Sequence, residues 1–346
     1  MTGQRSAGNP GPGSGPGGVP RAIALSPILS ARYRPEDLAR IAAAAPGARL
    51  VMLSHEGLAD GPIDDVEVLL HGFLAADAYE RLLVRASSLR WVHSAAAGVE
   101  RLLTPAARAR GVWLTNARGV FSRPIAEYVL MMMLAVSRRL PQLLELQAER
   151  TWQPLEAREL RDVTLGIVGF GSIGRAVAEL AAPFGPRVIA MRRGPTPRPD
   201  EPPLPPGVEL CGPEAFGDLL SASDFVVLAV PLTVETEDLV DDRALALMKR
   251  TAWLVNVARG RLIVERALLR ALREGRLGGA VLDTFRDEPL LPTSPFYDLA
   301  NVILTPHTSW SSGRVLDRSV ELFADNLRRF AAGEPLRNSV DAGAGY

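Results

Sequence analysis

The 346-residue chain has one cysteine, Cys211, one lysine, Lys249, four histidines and no net charge, with 39 basic residues balancing 39 acidic ones. A lone cysteine excludes an internal disulfide framework and a cysteine-based zinc site, and no metal centre is expected. Neutrality argues against a broad basic surface for nucleic acid or for an anionic membrane. The longest apolar run, Tyr128 to Val136, is half of the ~18–20 residues needed to cross a bilayer. Because nearly every basic residue is arginine, a single arginine is weak evidence for a site.

Apolar residues make up 47% of the chain, enough for cores in two domains of ordinary size. Glycine (31) and proline (28) are in excess, but the excess is local. Eleven of them fall within residues 1–20 and nine between Gly194 and Gly207. The first twenty residues cannot bury apolar surface and read as a disordered tail. They lack the apolar core of a secretory signal, so a cytoplasmic location is expected. The second cluster reads as a stiff surface loop.

From Arg21 onward short apolar runs alternate with helical stretches. Strands are predicted at Ala22–Leu25, Arg49–Leu53, Val66–Leu70, Leu89–His93 and Val112–Leu114, and helices at Pro35–Ala45, Ala75–Arg85 and Val99–Arg110. A long helix is predicted from Ser122 towards Gln147. Six further strands follow, at Leu165–Val168, Val188–Met191, Phe225–Ala229, Trp253–Val257, Ala280–Asp283 and Val302–Leu304. Such alternation implies parallel sheets covered on both faces, and six strands match two mononucleotide-binding halves of a doubly wound domain. A last amphipathic helix, Val315–Ala331, has no strand after it and is expected to return to the first domain.

The predicted strand ending at Val168 runs directly into Gly169-Phe-Gly171-Ser172-Ile173-Gly174, which opens a helix. In that strand–helix setting a G-x-G-x-x-G loop is a strong dinucleotide signal. Gly169 permits the tight turn, Gly171 close approach of the pyrophosphate, and Gly174 close helix–strand packing. The N–H groups around Ser172 and Ile173 would face the phosphates at the positive helix end. Eighteen residues after Gly174, where NAD-binding units place an acid on the ribose hydroxyls, stands Arg192, followed by Arg193. Guanidinium groups can pair with a 2′-phosphate, so NADP is the expected cofactor, with NAD possible.

Three strand ends then supply Arg259 in Val255-Asn-Val-Ala-Arg-Gly260, Glu288 in Asp283-Thr-Phe-Arg-Asp-Glu-Pro289, and His307 in Thr305-Pro-His. Ligands of doubly wound sheets bind outside the carboxyl ends of the strands, so all three residues should converge on the cofactor crevice. Together they suit hydride transfer to a 2-oxo acid. Arginine clamps the carboxylate and polarises the carbonyl, and histidine delivers the proton. A carboxylate hydrogen-bonded to such a histidine stabilises its charged form and fixes its ring. His55, His71 and His93 read as structural or surface residues.

Taken in order, these motifs resemble the D-isomer-specific 2-hydroxyacid dehydrogenase family, from Arg21 to about Asn338. The resemblance implies a Rossmann cofactor domain (122–310) inserted into a flavodoxin-like substrate domain (21–121 and 311–346), with residues 1–20 as a tail. It gives Arg259 the role of substrate arginine, Glu288 that of the acid and His307 that of the acid/base. Asp283 would contact the nicotinamide amide, and Pro231, Val257 and Ala258 would line the nicotinamide ribose. Ala97 and Gly98 would hold the substrate carboxylate through backbone N–H groups. The helix from Ser122 would build a homodimer, with Trp152 reaching the partner. Trp310 departs from the family's small residues and should crowd the substrate. The reading is therefore an NADP(H)-dependent 2-oxo acid reductase, acting on a small substrate such as glyoxylate or hydroxypyruvate. The alternatives are an NAD-dependent phosphoglycerate dehydrogenase-like enzyme and a non-catalytic NAD(P)-sensing protein.

Overall fold

The strands are short, almost wholly apolar runs, which is what a parallel sheet buried on both faces requires. A computed structural model describes residues 17–28, 33–99, 101–194 and 202–340. In chain order the first elements are β1 (Ala22–Leu25), α1 (Pro35–Ala44), β2 (Arg49–Met52), β3 (Val66–His71), α2 (Ala76–Arg85), β4 (Trp91–Ser94), α3 (Pro105–Arg110) and β5 (Trp113–Thr115). Then come α4 (Ser122–Ser137), α5 (Leu140–Ala148), β6 (Thr164–Val168), α6 (Ser172–Ala181), β7 (Arg187–Met191), β8 (Val208–Cys211), α7 (Phe216–Ala222) and β9 (Phe225–Leu228). The chain continues through α8 (Asp242–Leu247), β10 (Trp253–Asn256), α9 (Glu265–Arg273), β11 (Gly279–Leu282), β12 (Val302–Leu304) and α10 (Val315–Ala332). Two compact units result, one of residues up to Val120 together with those from Gly313, the other Phe121–Ser312.

The first unit holds a five-stranded parallel sheet in the order β2-β1-β3-β4-β5. Its core lies on both faces, with α2 and α3 contributing to one side and α1 and α10 to the other. On the second side Trp91 is flanked by Phe323 and Phe330 of α10, with ring centroids 5.4 and 5.5 Å away. Residues 338–340 run back along β5, where Thr115 bridges Ser339 and Val340 N–H donates to Leu114 O.

The second unit is a seven-stranded parallel sheet, β12-β11-β10-β9-β6-β7-β8. The strand order reverses between β6 and β9, so the ligand crevice lies outside their carboxyl ends. Among the described residues no helix is long and apolar enough to cross a membrane.

Four expectations need correction. The sheet has seven strands rather than six, because β8 is an edge strand with no fully buried residue and so carries no apolar run. The helix from Ser122 does not reach Gln147 unbroken: Arg139 turns left-handed (φ +58°) and a new helix begins at Leu140, with Pro141 in its first turn. The helix predicted from Val99 starts only at Pro105, where the Thr104 hydroxyl accepts from Ala107 N–H. Gly18 and Pro20, read as part of the tail, are held in place, since Gly18 N–H donates to Ala331 O and Pro20 is buried. The rest of that tail, and residues 195–201 of the proline-rich loop, lie outside the described residues.

Candidate active site

The phosphate loop shows three different reasons for glycine. Gly169 sits at φ +107°, and a Cβ there would lie 2.6 Å from the backbone of Ala229. A Cβ on Gly174 would lie 2.2 Å from Gly169 O and 2.9 Å from the Ile167 side chain, so glycine lets α6 press against β6. Gly171, the residue preceding α6, is exposed, and a Cβ there would meet nothing within 4 Å. The protein's own packing does not require glycine at 171, whereas the approach of a pyrophosphate does. Ser172 and Ile173 open α6 beside it. The loop therefore fits a dinucleotide on a feature of this chain.

At the end of β7, Arg192 is half-buried and its N–H donates to Cys211 O. Arg193 is exposed and pairs with Glu235 at 3.4 Å. Glu235 also accepts from the Thr233 hydroxyl at 2.7 Å, and these contacts hold its carboxyl below the usual range. An acid thus stands beside Arg193, contributed by the segment after β9. Pro231, in the same segment, accepts from the Thr236 hydroxyl.

The loops after β10, β11 and β12, three neighbouring strands, carry Arg259, Glu288 and His307 at one edge of the sheet. Asn256, fully buried at the end of β10, donates to Arg259 O and accepts from Ala258 N–H. That clamp fixes Val257 and Ala258, both buried, and launches Arg259. A Cβ on Gly260 would fall within 2.3 Å of the Phe285–Arg286 backbone, so only glycine lets the Arg259 loop touch the Glu288 loop.

Glu288 accepts from Phe285 N–H through Oε1 (3.0 Å) and faces His307 Nδ1 through Oε2 (2.8 Å). His307 is 40% exposed and Glu288 35%, so the pair is fixed yet open to a ligand. Trp310 turns its indole N–H onto His307 O at 2.7 Å, and its ring meets Phe121 edge-on. The tryptophan therefore braces the histidine backbone, a contact not foreseen from its bulk.

Asp283 is fully buried, and its carboxylate accepts from the Thr305 hydroxyl (2.6 Å), Thr308 N–H (2.8 Å) and Ser309 N–H (3.0 Å). So placed, it ties down the loop bearing His307. Sequence reasoning also missed the structural part of Asn256, although the N-x-x-R-G spacing pointed to it. In the first unit, Ala97 lies in a bend after β4 and Gly98 follows it. Asn116 donates to Ala97 O (2.9 Å) and Ala117 N–H to Ala96 O (3.1 Å).

A dinucleotide loop at the switch point of one parallel sheet, with arginine, glutamate and histidine along the same edge, defines a nicotinamide-dependent oxidoreductase. Residues 130–309 match the sequence profile described as D-isomer specific 2-hydroxyacid dehydrogenase, NAD binding domain. A glyoxylate reductase of Korarchaeum cryptofilum is 37% identical over 270 residues, spanning 74% of this chain and 77% of that protein. The solved D-isomer specific 2-hydroxyacid dehydrogenase of Xanthobacter autotrophicus Py2, in complex with NADPH and MES, superposes with a TM-score of 0.82 at 29% identity, covering 96% of this chain and all of that one. An NADPH-dependent glyoxylate/hydroxypyruvate reductase of Sinorhizobium meliloti, with NADP and sulfate, gives 0.78 at 29% identity over 94% of this chain and all of that one. The chain belongs to the D-isomer-specific 2-hydroxyacid dehydrogenase family. It is an oxidoreductase of 2-oxo acid/2-hydroxy acid pairs with a Rossmann NAD-binding unit.

Proposed function

We propose that this chain is an NADPH-dependent reductase of a small 2-oxo acid, glyoxylate or hydroxypyruvate, giving a 2-hydroxy acid that is of D configuration where the product is chiral. The observation that carries the reading is the His307–Glu288 pair at 2.8 Å on the edge that also bears Arg259. The dihydronicotinamide, when bound, supplies the hydride. Gly169, Gly171 and Gly174 shape the cradle, and the N–H groups of Ser172 and Ile173 hold the pyrophosphate. Pro231, Val257 and Ala258 line the ribose. Arg259 clamps the substrate carboxylate and draws charge from the carbonyl oxygen as it becomes an alkoxide. With Nδ1 turned to Glu288, His307 presents Nε2 to that oxygen and delivers the proton. Ala97 and Gly98 keep the part the resemblance gives them, backbone N–H groups for a carboxylate.

NADP rather than NAD is favoured by Arg192 and Arg193 at the end of β7, where an acid would repel a 2′-phosphate. The NADPH and NADP bound by the Xanthobacter and Sinorhizobium proteins support the same reading. We further propose a cytoplasmic homodimer. Met131, Leu140, Leu143 and Leu144 on α4 and α5 are exposed, and Trp152 is 100% exposed, an apolar surface that a second copy would cover. Sedimentation of the purified chain tests this, a monomer at micromolar concentration contradicting it.

The functional test is turnover with NADPH and with NADH across a panel of small 2-oxo acids. Preference for NADPH with glyoxylate or hydroxypyruvate is expected, and Arg192→Ala should erode it. No turnover with any 2-oxo acid contradicts the reading, and a clear NADH preference contradicts the role of Arg192.

A further inference from the structure

His307 adopts φ +48°, a left-handed conformation unusual for a residue with a side chain. Such a backbone persists only where its surroundings hold it. Its own N–H donates to Thr305 O, its carbonyl accepts from Trp310, and the next two N–H groups are gathered by Asp283. Asp283 Oδ1 also takes the Thr305 hydroxyl at 2.6 Å. A carboxylate only accepts, so the single Thr305 hydroxyl proton points to Asp283. The Tyr128 hydroxyl, 2.7 Å from Thr305 Oγ1, must then be the donor to it. Tyr128 is 177 residues away in sequence and buried within α4, and burial pushes its phenol up to about 12, so it remains a donor.

We propose that Tyr128 is a positioning residue for the reaction, acting through Thr305 and Asp283 to hold the loop that aims His307. The proposal rests on the acid/base role given to His307 above. A Tyr–Thr–Asp relay of this kind fixes its terminal carboxylate in one orientation, so two consecutive N–H groups of the loop have one place to go. Without the phenol, Thr305 gains freedom to turn, the Asp283 oxygen loses a fixed partner, and His307 can relax from its left-handed backbone. The cost then falls on the chemical step and not on cofactor binding, because removing one hydroxyl leaves the packing of α4 against α6, the helix after the phosphate loop, in place.

The experiment compares Tyr128→Phe, Thr305→Ser and Thr305→Val in the full chain. Tyr128→Phe and Thr305→Val should each lower kcat for 2-oxo acid reduction about tenfold, in line with small misplacements of a reacting group. KM and Kd for the dinucleotide should stay unchanged, and Thr305→Ser should behave as wild type. The double variant should fall no further than Thr305→Val, since both changes break one relay. A readout independent of turnover is the His307 ring in ligand-free protein labelled at its four histidines. Its nitrogen resonances should broaden or split in Tyr128→Phe and stay as in wild type in Thr305→Ser. Wild-type kcat together with wild-type His307 resonances in Tyr128→Phe overturns the proposal, as does an equal loss of dinucleotide affinity. Wild-type protein that reduces no 2-oxo acid overturns the functional reading instead, and the resonances then still decide whether Tyr128 positions His307.

Discussion

A methyl group added at Gly171 and, separately, at Gly174 distinguishes a loop shaped for a ligand from one shaped only for the fold. At Gly174 the new Cβ would sit 2.2 Å from Gly169 O and 2.9 Å from Ile167 Cγ2. Backbone cannot yield cheaply, so β6 and α6 must separate, an overpacking cost of about 1–3 kcal/mol. For a unit of this size that lowers Tm by roughly 5 °C. At Gly171 the new Cβ meets nothing within 4 Å, and the backbone (φ −89°, ψ −157°) is not left-handed. Stability should therefore move by less than about 0.5 kcal/mol. The methyl group instead occupies the space through which a pyrophosphate would approach. Losing one charge-assisted backbone contact costs about 1.5–3 kcal/mol, which is roughly 10–100-fold in dinucleotide Kd. Calorimetric titration with NADPH and thermal melting of both variants read the two quantities. Gly171→Ala binding NADPH as wild type does, or melting as low as Gly174→Ala, would refute the reasoning.

Two further outcomes follow from the same geometry. Glu288→Gln keeps the shape but removes the charge that holds His307 Nδ1, so kcat should fall about 10–100-fold with dinucleotide Kd unchanged; an unaltered kcat would contradict the pairing's role. In the first unit His93 is fully buried, with Nδ1 2.6 Å from Thr115 Oγ1, and burial pushes its pKa down to about 3. The unfolded chain binds the proton that the folded state rejects. The contribution is therefore whole above about pH 6.5 and is lost progressively as pH falls from there towards 3. Between pH 7 and pH 5.5 it amounts to about 1 kcal/mol, which denaturant midpoints followed by tryptophan fluorescence would register. Burial lowers His71 to about 4, in the same direction. Equal midpoints at the two pH values would contradict the account.

Most of the architecture was legible because buried parallel strands are written as short apolar runs such as Phe225–Leu228. The placement of Arg259, Glu288 and His307 along one edge was legible because the residues after consecutive strands fall side by side at the carboxyl end of a parallel sheet. Features that depend on solvent exposure or on contacts distant in sequence were not. Strand β8 escaped notice because an edge strand needs no apolar run, and the break at Arg139 lies inside a stretch that stays apolar on both sides. Tyr128 stands at the start of the longest apolar run, and nothing local relates it to Thr305. Asp283 carries the motif's aspartate, but only the packed structure shows its carboxylate turned inward on Thr305, Thr308 and Ser309.

The most direct measurement is dihydronicotinamide oxidation by wild-type and His307→Ala protein with glyoxylate and NADPH, alongside NADPH affinity. Wild-type turnover, a loss of about 100-fold or more in the variant and an unchanged Kd are predicted. Equal turnover by the two proteins would contradict the assignment of His307 as the proton donor.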